Sequence, residues 1–308
     1  MMEQKKKVLF VATVVKTHIN TFHLPFLKMF KEYGWEVHVA AKNDFVDEPC
    51  VIPNCDRHFD IDFARSPFSK SNIKAYKQLK QIIETNHYDI IHCHTPVAGV
   101  LTRLAARTAK GTTVIYTAHG FHFYQGAPLI NWLVYYPVER VCGKFTDKLI
   151  TVNQEDYHRA NSWRLRNNGK IYYVPGIGVD LEEIQNISIN KVQKKKEIGI
   201  SNDVKVLLSV GELNKNKNHE IIIRVLSKLT NKNFIYLICG NGELKEYLKN
   251  LAKELGVSDK VKFLGYRKDV LEIYKIADLF LFPSKREGLP CSLIEAMACG
   301  LPCVASDV

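Results

Sequence analysis

Long apolar stretches are missing from this sequence. No window of about 18 apolar residues occurs, so no transmembrane helix is expected and any membrane contact is peripheral. Paired cysteines are missing too. The eight cysteines, at 50, 55, 93, 142, 239, 291, 299 and 303, never form Cys-x-x-Cys. That removes the usual zinc and redox spacings and fits a reduced, cytosolic chain. No low-complexity tract or repeat of fixed period occurs, which argues against solenoids and propellers. Acidic residues are in deficit, 32 against 43 basic ones, giving a net charge of +11. Such an excess suits polyanions, phosphorylated ligands or an anionic membrane surface. A nucleic-acid partner calls for a basic stripe interleaved with aromatics, or a known module, and neither is present. The lysine runs at 5–7 and 194–196 read as solvated surface. The apolar residues 8–15 mimic a secretion signal, but they run into Lys16-Thr17-His18 without a small-residue cleavage site. A buried first strand explains them better.

What is present is a regular alternation. At 308 residues the chain is long enough for two domains. Short apolar runs at 8–13, 36–41, 90–94, 113–117, 148–152 and 171–174 alternate with helical patterns at 22–33, 71–86, 97–109, 130–141 and 155–161. This is the signature of βαβ units and parallel sheets. Val174-Pro175-Gly176-Ile177-Gly178-Val179-Asp180 breaks the pattern, and a polar, Lys- and Asn-rich stretch follows. The expected organisation is one α/β domain over 1–175, a linker over 176–200 and a second α/β domain over 201–308. In the second half strands are expected at 204–210, 234–239, 261–264, 279–282 and 303–305, and helices at 218–229, 243–255, 268–276 and 290–299.

One motif carries chemistry. In Phe282-Pro283-Ser284-Lys285-Arg286-Glu287-Gly288-Leu289-Pro290-Cys291-Ser292-Leu293-Ile294-Glu295-Ala296-Met297-Ala298-Cys299-Gly300-Leu301-Pro302, a strand ends, a loop carries Glu287 and a helix opens near Pro290. Gly288 lets the backbone approach a ligand closely, and a helix N-terminus favours phosphate. Pro290 near the start and Gly300 past the end are the expected helix bounds. Glu287 and Glu295 can meet one extended ligand at different points. Read without context, Glu287 is a loop carboxylate and Glu295 a solvated helix residue.

With its flanking words, Glu287, seven residues, then Glu295 resembles the E-x7-E motif of retaining family-4 glycosyltransferases. The resemblance runs through the available chain and implies the GT-B fold, two Rossmann-like domains facing a cleft. It assigns Glu287 to the donor sugar, Glu295 to the ribose hydroxyls, and the backbone of Gly288 and Leu289 to the sugar and diphosphate. Pro290 has no N–H to give. Ser209-Val210-Gly211-Glu212-Leu213-Asn214-Lys215-Asn216-Lys217-Asn218-His219-Glu220 resembles the family's phosphate patch, with Gly211 in the turn and Lys217 on the diphosphate. Glu212 stands where many members carry Arg, which leaves the charge to Lys217 and Lys215. Gly240-Asn241-Gly242 resembles a family turn near the donor, and Arg267 the loop at the nucleobase, through its backbone or by stacking; a surface Arg is the other reading.

On the first domain the resemblance places His119 of Ala118-His119-Gly120-Phe121-His122-Phe123 at the reacting centre. His18, His94 and His122 are acceptor-side candidates, with His23 and His92 beside them. The Thr17–His23 loop replaces a glycine-rich loop found in many relatives. Imidazoles from His92, His94, His119 and His122 suit zinc, but their spacings match no standard zinc pattern and the family needs no metal. The expectation is therefore no metal and no cofactor, the nucleotide sugar being a co-substrate. The segment 128–144, with Trp132, Tyr135, Tyr136, Arg140 and Lys144, reads as a core-facing helix or as an interfacial one resting on an anionic bilayer.

The resemblance thus implies retaining transfer from a nucleotide diphosphate sugar, UDP-linked, to a glycan or lipid-linked acceptor of bacterial surface polysaccharide. It places the enzyme at the inner face of the cytoplasmic membrane. Family members continue beyond the point matching Val308, so the chain is expected to stop short of the family's end. A nucleotide-sugar epimerase and a non-catalytic nucleotide-sugar binder remain as rival readings.

Overall fold

The computed structural model describes residues 5–46, 48–64, 66–176, 178–230 and 233–308. It divides into two compact units, Met1–Gly176 and Ile177–Val308. Ile177, inside the expected break, lies outside the described residues.

The first unit is built on a seven-stranded sheet of β1 (Lys7–Val14), β2 (Glu36–Lys42), β3 (Arg57–Asp60), β4 (Ile90–His94), β5 (Thr113–Ala118), β6 (Lys148–Thr151) and β7 (Lys170–Tyr173). Every pairing is parallel, in the order β3-β2-β1-β4-β5-β6-β7. The helices are α1 (Asn20–Phe22), α2 (Leu24–Glu32), α3 (Ser71–Asn86), α4 (Pro96–Ala105), α5 (Leu129–Gly143) and α6 (Gln154–Ala160). Sequence shows directly why β1 sits at the centre. Val8, Leu9, Phe10, Val11 and Ala12 are all fully buried, with Leu9 and Val11 in one core cluster and Val8, Phe10 and Ala12 in another. A strand covered on both faces needs a continuous apolar run rather than alternation.

The second unit repeats the plan with five parallel strands: β8 (Lys205–Val210), β9 (Phe234–Cys239), β10 (Val261–Gly265), β11 (Leu279–Phe282) and β12 (Cys303–Ala305). Their order is β10-β9-β8-β11-β12. Its helices are α7 (Leu181–Asn186), α8 (Lys191–Glu197), α9 (His219–Lys228), α10 (Lys245–Glu254), α11 (Val270–Ile276) and α12 (Cys291–Ala298). Val206 and Leu208 bury into one cluster while Leu207 packs on the opposite one.

In each sheet the winding direction reverses beside the first strand. The switch falls between β1 and β4 in the first unit and between β8 and β11 in the second. Loops leaving the carboxyl ends of two such strands diverge, and the crevice they leave is where open α/β sheets bind ligands.

Three expectations need correction. Residues 176–200 are not a bare linker: they carry α7 and α8, which pack on α12 and α11. Asp180 and Asn190 cap these helices, accepting from the amides of Glu183 and Gln193. Lys194 is not solvated surface either. It is buried, with Asp269 at 2.5 Å, Glu272 at 2.8 Å and Glu197 at 3.2 Å, and these carboxylates hold its ammonium well above the usual lysine range against the opposing pull of burial. Finally, β3 went unexpected, because an edge strand reading Arg-His-Phe-Asp, exposed at both ends, has no apolar run to betray it.

Candidate functional site

At the switch point of the second unit, the loop after β8 carries Lys217 and the loop after β11 carries Glu287. Lys217 Nζ lies 2.6 Å from Glu287 Oε1, both side chains being largely buried. The same ammonium sits 5.1 Å above the Phe282 ring. Asparagines that sequence reasoning passed over shape the first loop and fix it to the second. Asn214 Oδ1 accepts the Lys217 amide at 2.9 Å. Asn216 Nδ2 donates to the Arg286 carbonyl at 2.9 Å, and the Asn216 carbonyl accepts the Lys285 amide at 2.8 Å. Nothing in their spacing marks them, since Asn is common in any turn.

The glycines next to this pair are demanded by close approach. A Cβ on Gly240 would stand 1.9 Å from the Gly211 carbonyl oxygen, and one on Gly242 would stand 2.4 Å from that of Leu213. Hydrogen bonds stitch the loops at the same place: the Gly211 amide donates to Cys239, the Leu213 amide to Asn241 and the Gly240 amide to Gly265. The carboxyl ends of β8, β9 and β10 thus form one backbone floor.

α12 starts at Cys291 with extended Pro290 as its cap residue, one position later than expected. Gly288 and Leu289 lie in the loop leading to it. The helix closes as the sequence suggests, with Gly300 at φ +76° and the Leu301 amide donating back to Ala296; this is the αL ending that glycine favours. Glu295, on the second turn, accepts a hydrogen bond of 3.0 Å from the Tyr274 hydroxyl, which also lies 2.9 Å from the Ser292 carbonyl. Burial raises the Glu295 carboxyl above its ordinary range, Tyr274 opposes this, and Glu183 adds to it. Tyr274, on α11, is therefore a positioning residue for Glu295 that the motif alone does not reveal.

Arg267 is placed differently from a stacking residue. Its Nε and Nη2 hold Asp269 at 2.7 and 2.5 Å, and Nη2 reaches Glu197 at 3.4 Å. Its guanidinium is thus engaged by two carboxylates.

The first unit gathers histidines at its own switch point. His18 comes from a π-helical turn, Val15–Ile19, directly after β1; His23 lies between α1 and α2; His94 ends β4; His119 follows β5. His94 Nδ1 and His119 Nε2 are 3.3 Å apart. The His23 and His94 rings are 3.9 Å apart between centroids, and His92 stands 4.1 Å from His94. Burial holds four of these imidazoles neutral: His18 and His92 fall to about 3, His23 to about 2, and His94 is pushed well below its usual value, while His119 stands at the exposed rim.

His122 is not brought into this group. The run Phe121-His122-Phe123 alternates, and its two phenylalanines are buried, so His122 faces outward and packs 4.8 Å from the Tyr135 ring. The set His92, His94, His119 and His122 considered from sequence is thereby replaced by His18, His23, His94 and His119, one nitrogen of each lying within 4.8 Å of the others. His92 instead lies 2.8 Å from Thr117 Oγ1.

Comparison with known proteins identifies the family. Residues 190–308 match the family described as glycosyl transferases group 1, and residues 7–153 match glycosyl transferase 4-like. EpsD of Bacillus subtilis (strain 168), assigned as a glycosyltransferase, is 44% identical over 307 residues, covering 98% of this chain and 79% of its own. The UDP-Gal:alpha-D-GlcNAc-diphosphoundecaprenol alpha-1,3-galactosyltransferase of Escherichia coli is 35% identical, covering 78% of this chain and 62% of its own. Among solved structures, Anabaena HepE in complex with UDP and glucose superposes with a TM-score of 0.76 at 22% identity, over 98% of this chain and 81% of that one. The chain belongs to this glycosyltransferase family, in which the group 1 and 4-like domains form the two Rossmann-like halves of the GT-B fold.

Proposed function

We propose that this glycosyltransferase moves a hexosyl or N-acetylhexosaminyl unit from a UDP-sugar to a lipid-linked or glycan acceptor, with retention of anomeric configuration. The observation that carries the reading is the Lys217–Glu287 pair at the second switch point, beside the start of α12 and with Glu295 about one turn further on. A diphosphate entering this crevice offers Lys217 two negative charges in place of one carboxylate. Lys217 and the first amides of α12 then stabilise the leaving diphosphate as electrostatics fixed before the reaction. Release from Lys217 frees Glu287 to accept hydrogen bonds from the donor sugar, while Glu295 takes the ribose hydroxyls. Glu287 and Glu295 are donor-binding groups, so the acid-and-nucleophile scheme of glycosidases is not invoked.

The acceptor class rests on relatives and surface. The Escherichia coli relative's name specifies a diphosphoundecaprenol substrate. On α5, Leu129, Ile130 and Leu133 are exposed, and Arg140 and Lys144 follow on the same segment. Apolar residues next to cations suit an anionic bilayer. Among the described residues no helix is long and apolar enough to cross one, so the contact proposed is peripheral, at the cytoplasmic face.

The test is transfer from a panel of UDP-sugars to an undecaprenyl-diphosphate glycolipid, with the product anomer read by NMR. An α-configured product from an α-linked donor is expected. Glu287→Ala abolishes transfer, and Glu295→Ala mainly weakens nucleotide binding. An inverted anomer, epimerisation of the donor without acceptor, or wild-type turnover in both variants overturns the reading.

A further inference from the structure

We infer that His18, His23, His94 and His119 form a binding site for one zinc-class divalent transition metal, holding together the loops that follow β1, β4 and β5. This goes beyond the proposed transfer reaction, no step of which is routed through the ion.

The first ground is unmet bonding. His18 Nε2, both nitrogens of His23 and His94 Nε2 are buried without a hydrogen-bond partner among the described residues. His23 and His94 are each only 1% exposed. A neutral imidazole carries one donor and one acceptor, and leaving these unmet in the interior is costly. One such histidine is a curiosity; three in mutual contact point to a shared missing partner. Two imidazole acceptors facing each other cannot satisfy one another, whereas a cation takes one nitrogen from each ring.

Geometry is the second ground. Tetrahedral Zn–N bonds of about 2.0–2.1 Å put neighbouring ligand nitrogens about 3.3 Å apart. The His94 Nδ1 to His119 Nε2 separation is 3.3 Å, and the four ligand-capable nitrogens lie within 4.8 Å of one another. A tetrahedral set requires the His18 and His23 rings to turn about their own side-chain bonds. An all-nitrogen set selects zinc, cobalt, nickel or copper over magnesium or calcium, which take oxygen ligands.

The backbone around the cluster is built to hold these rings. His18 rides on the π-helical turn, which Asp44 ties down through the Lys16 amide at 2.6 Å and the Thr17 hydroxyl at 3.0 Å. The amide of His23 donates to Ile19, and its carbonyl receives Phe26 and Leu27. Thr95, immediately after His94, is held at φ +62°, a region a β-branched residue rarely visits, with its hydroxyl 2.7 Å from that of Thr13. Strain of this kind persists where the surroundings over-determine it, most often at functional sites. The buried ligands are the neutral form that metals bind, burial being the main cause in each. The exposed rim residue His119 gives an ion its way in.

Sequence spacing hides the site because the ligands come from three separate loops, with only His18 and His23 close in the chain. The test is metal analysis of the full chain purified without an affinity tag of histidines. Loaded with Zn²⁺ and desalted, the protein is expected to keep one equivalent, and to keep none after loading with Mg²⁺. His23→Gln and His94→Gln lose the zinc, whereas His92→Gln, changed at a neighbouring ring outside the set, keeps it. Cobalt substitution of the wild type separates this site from the eight cysteines without relying on any variant. Tetrahedral Co²⁺ bands free of thiolate charge transfer are expected. Failure of the wild type to retain zinc, thiolate bands in the cobalt form, or full retention by both His23→Gln and His94→Gln overturns the assignment.

Discussion

Lys217 Nζ and Glu287 Oε1 stand 2.6 Å apart across the second switch point, so the cation proposed for the diphosphate and the carboxylate proposed for the sugar neutralise each other. Each partner is held ready by the other, and a donor bearing both a diphosphate and sugar hydroxyls suits both after they separate. Lys217→Ala is expected to weaken UDP binding roughly 10–100-fold, the scale of one charge-assisted hydrogen bond, while uridine binding barely changes. Glu287→Gln leaves Lys217 without its internal competitor. UDP then binds as tightly as before or more so, although transfer is lost. Calorimetry with UDP and uridine checks both variants. An unchanged UDP affinity in Lys217→Ala removes the lysine from the phosphate site.

A second ion pair concerns stability alone. Arg103 Nη1 lies 2.9 Å from Glu139 Oε2, with the side chains 1% and 8% exposed. The guanidinium packs 3.9 Å over the Tyr116 ring, and the Tyr116 hydroxyl donates to Glu139 at 3.3 Å. The group joins α4, β5 and α5. Glu139→Ala strands a buried cation and is expected to cost the first unit about 3–5 kcal/mol. Replacing both partners by apolar residues, as in Arg103→Met with Glu139→Leu, recovers most of that loss, because it removes the charges together. Denaturant unfolding of the single and double variants measures the difference. Equal destabilisation in both would falsify the account, since it would show that lost packing dominates.

Much of the strand pattern was legible because strands inside each sheet carry apolar runs: 90–94, 234–239 and 279–282 coincide with β4, β9 and β11, and the short apolar run 303–305 with the edge strand β12. The motif around Glu287 was legible because its chemistry is local, a strand end, a glycine and a helix start within a few residues. Contacts between distant segments were not. Tyr274 reaches Glu295 from another helix, Asn216 reaches Arg286 from another loop, and Lys194 finds its carboxylates on α8 and the segment around α11. Each is an ordinary surface-type residue by sequence, and only the parallel crossovers bring it to its partner. The histidines illustrate both cases. His119 was marked by its motif, but the company of His18, His23 and His94 follows from the order β1-β4-β5 in the sheet, which no spacing encodes.

His219 makes the second unit sensitive to acid. It opens α9 two residues after Lys217, is 3% exposed, and lies with Nδ1 3.3 Å from the Tyr236 hydroxyl, itself bonded to Ser209. Burial, reinforced by the charge of Lys217, lowers its pKa from 6.5 to about 4. Between those values the unfolded chain binds a proton that the folded chain does not, so stability rises with pH through this window and falls as the solution is acidified. At about 1.4 kcal/mol per unit, this one histidine accounts for roughly 3 kcal/mol between pH 6.5 and 4. His219→Gln keeps a polar group near Tyr236 but does not titrate. Its unfolding free energy, followed in denaturant between pH 7.5 and 4.5, is expected to decline with pH less steeply than wild type, by up to one proton. The donor site shares this segment, so UDP affinity in the variant at pH 7.5 checks that Lys217 has kept its place. Parallel pH profiles for the two proteins would assign the acid sensitivity to other groups.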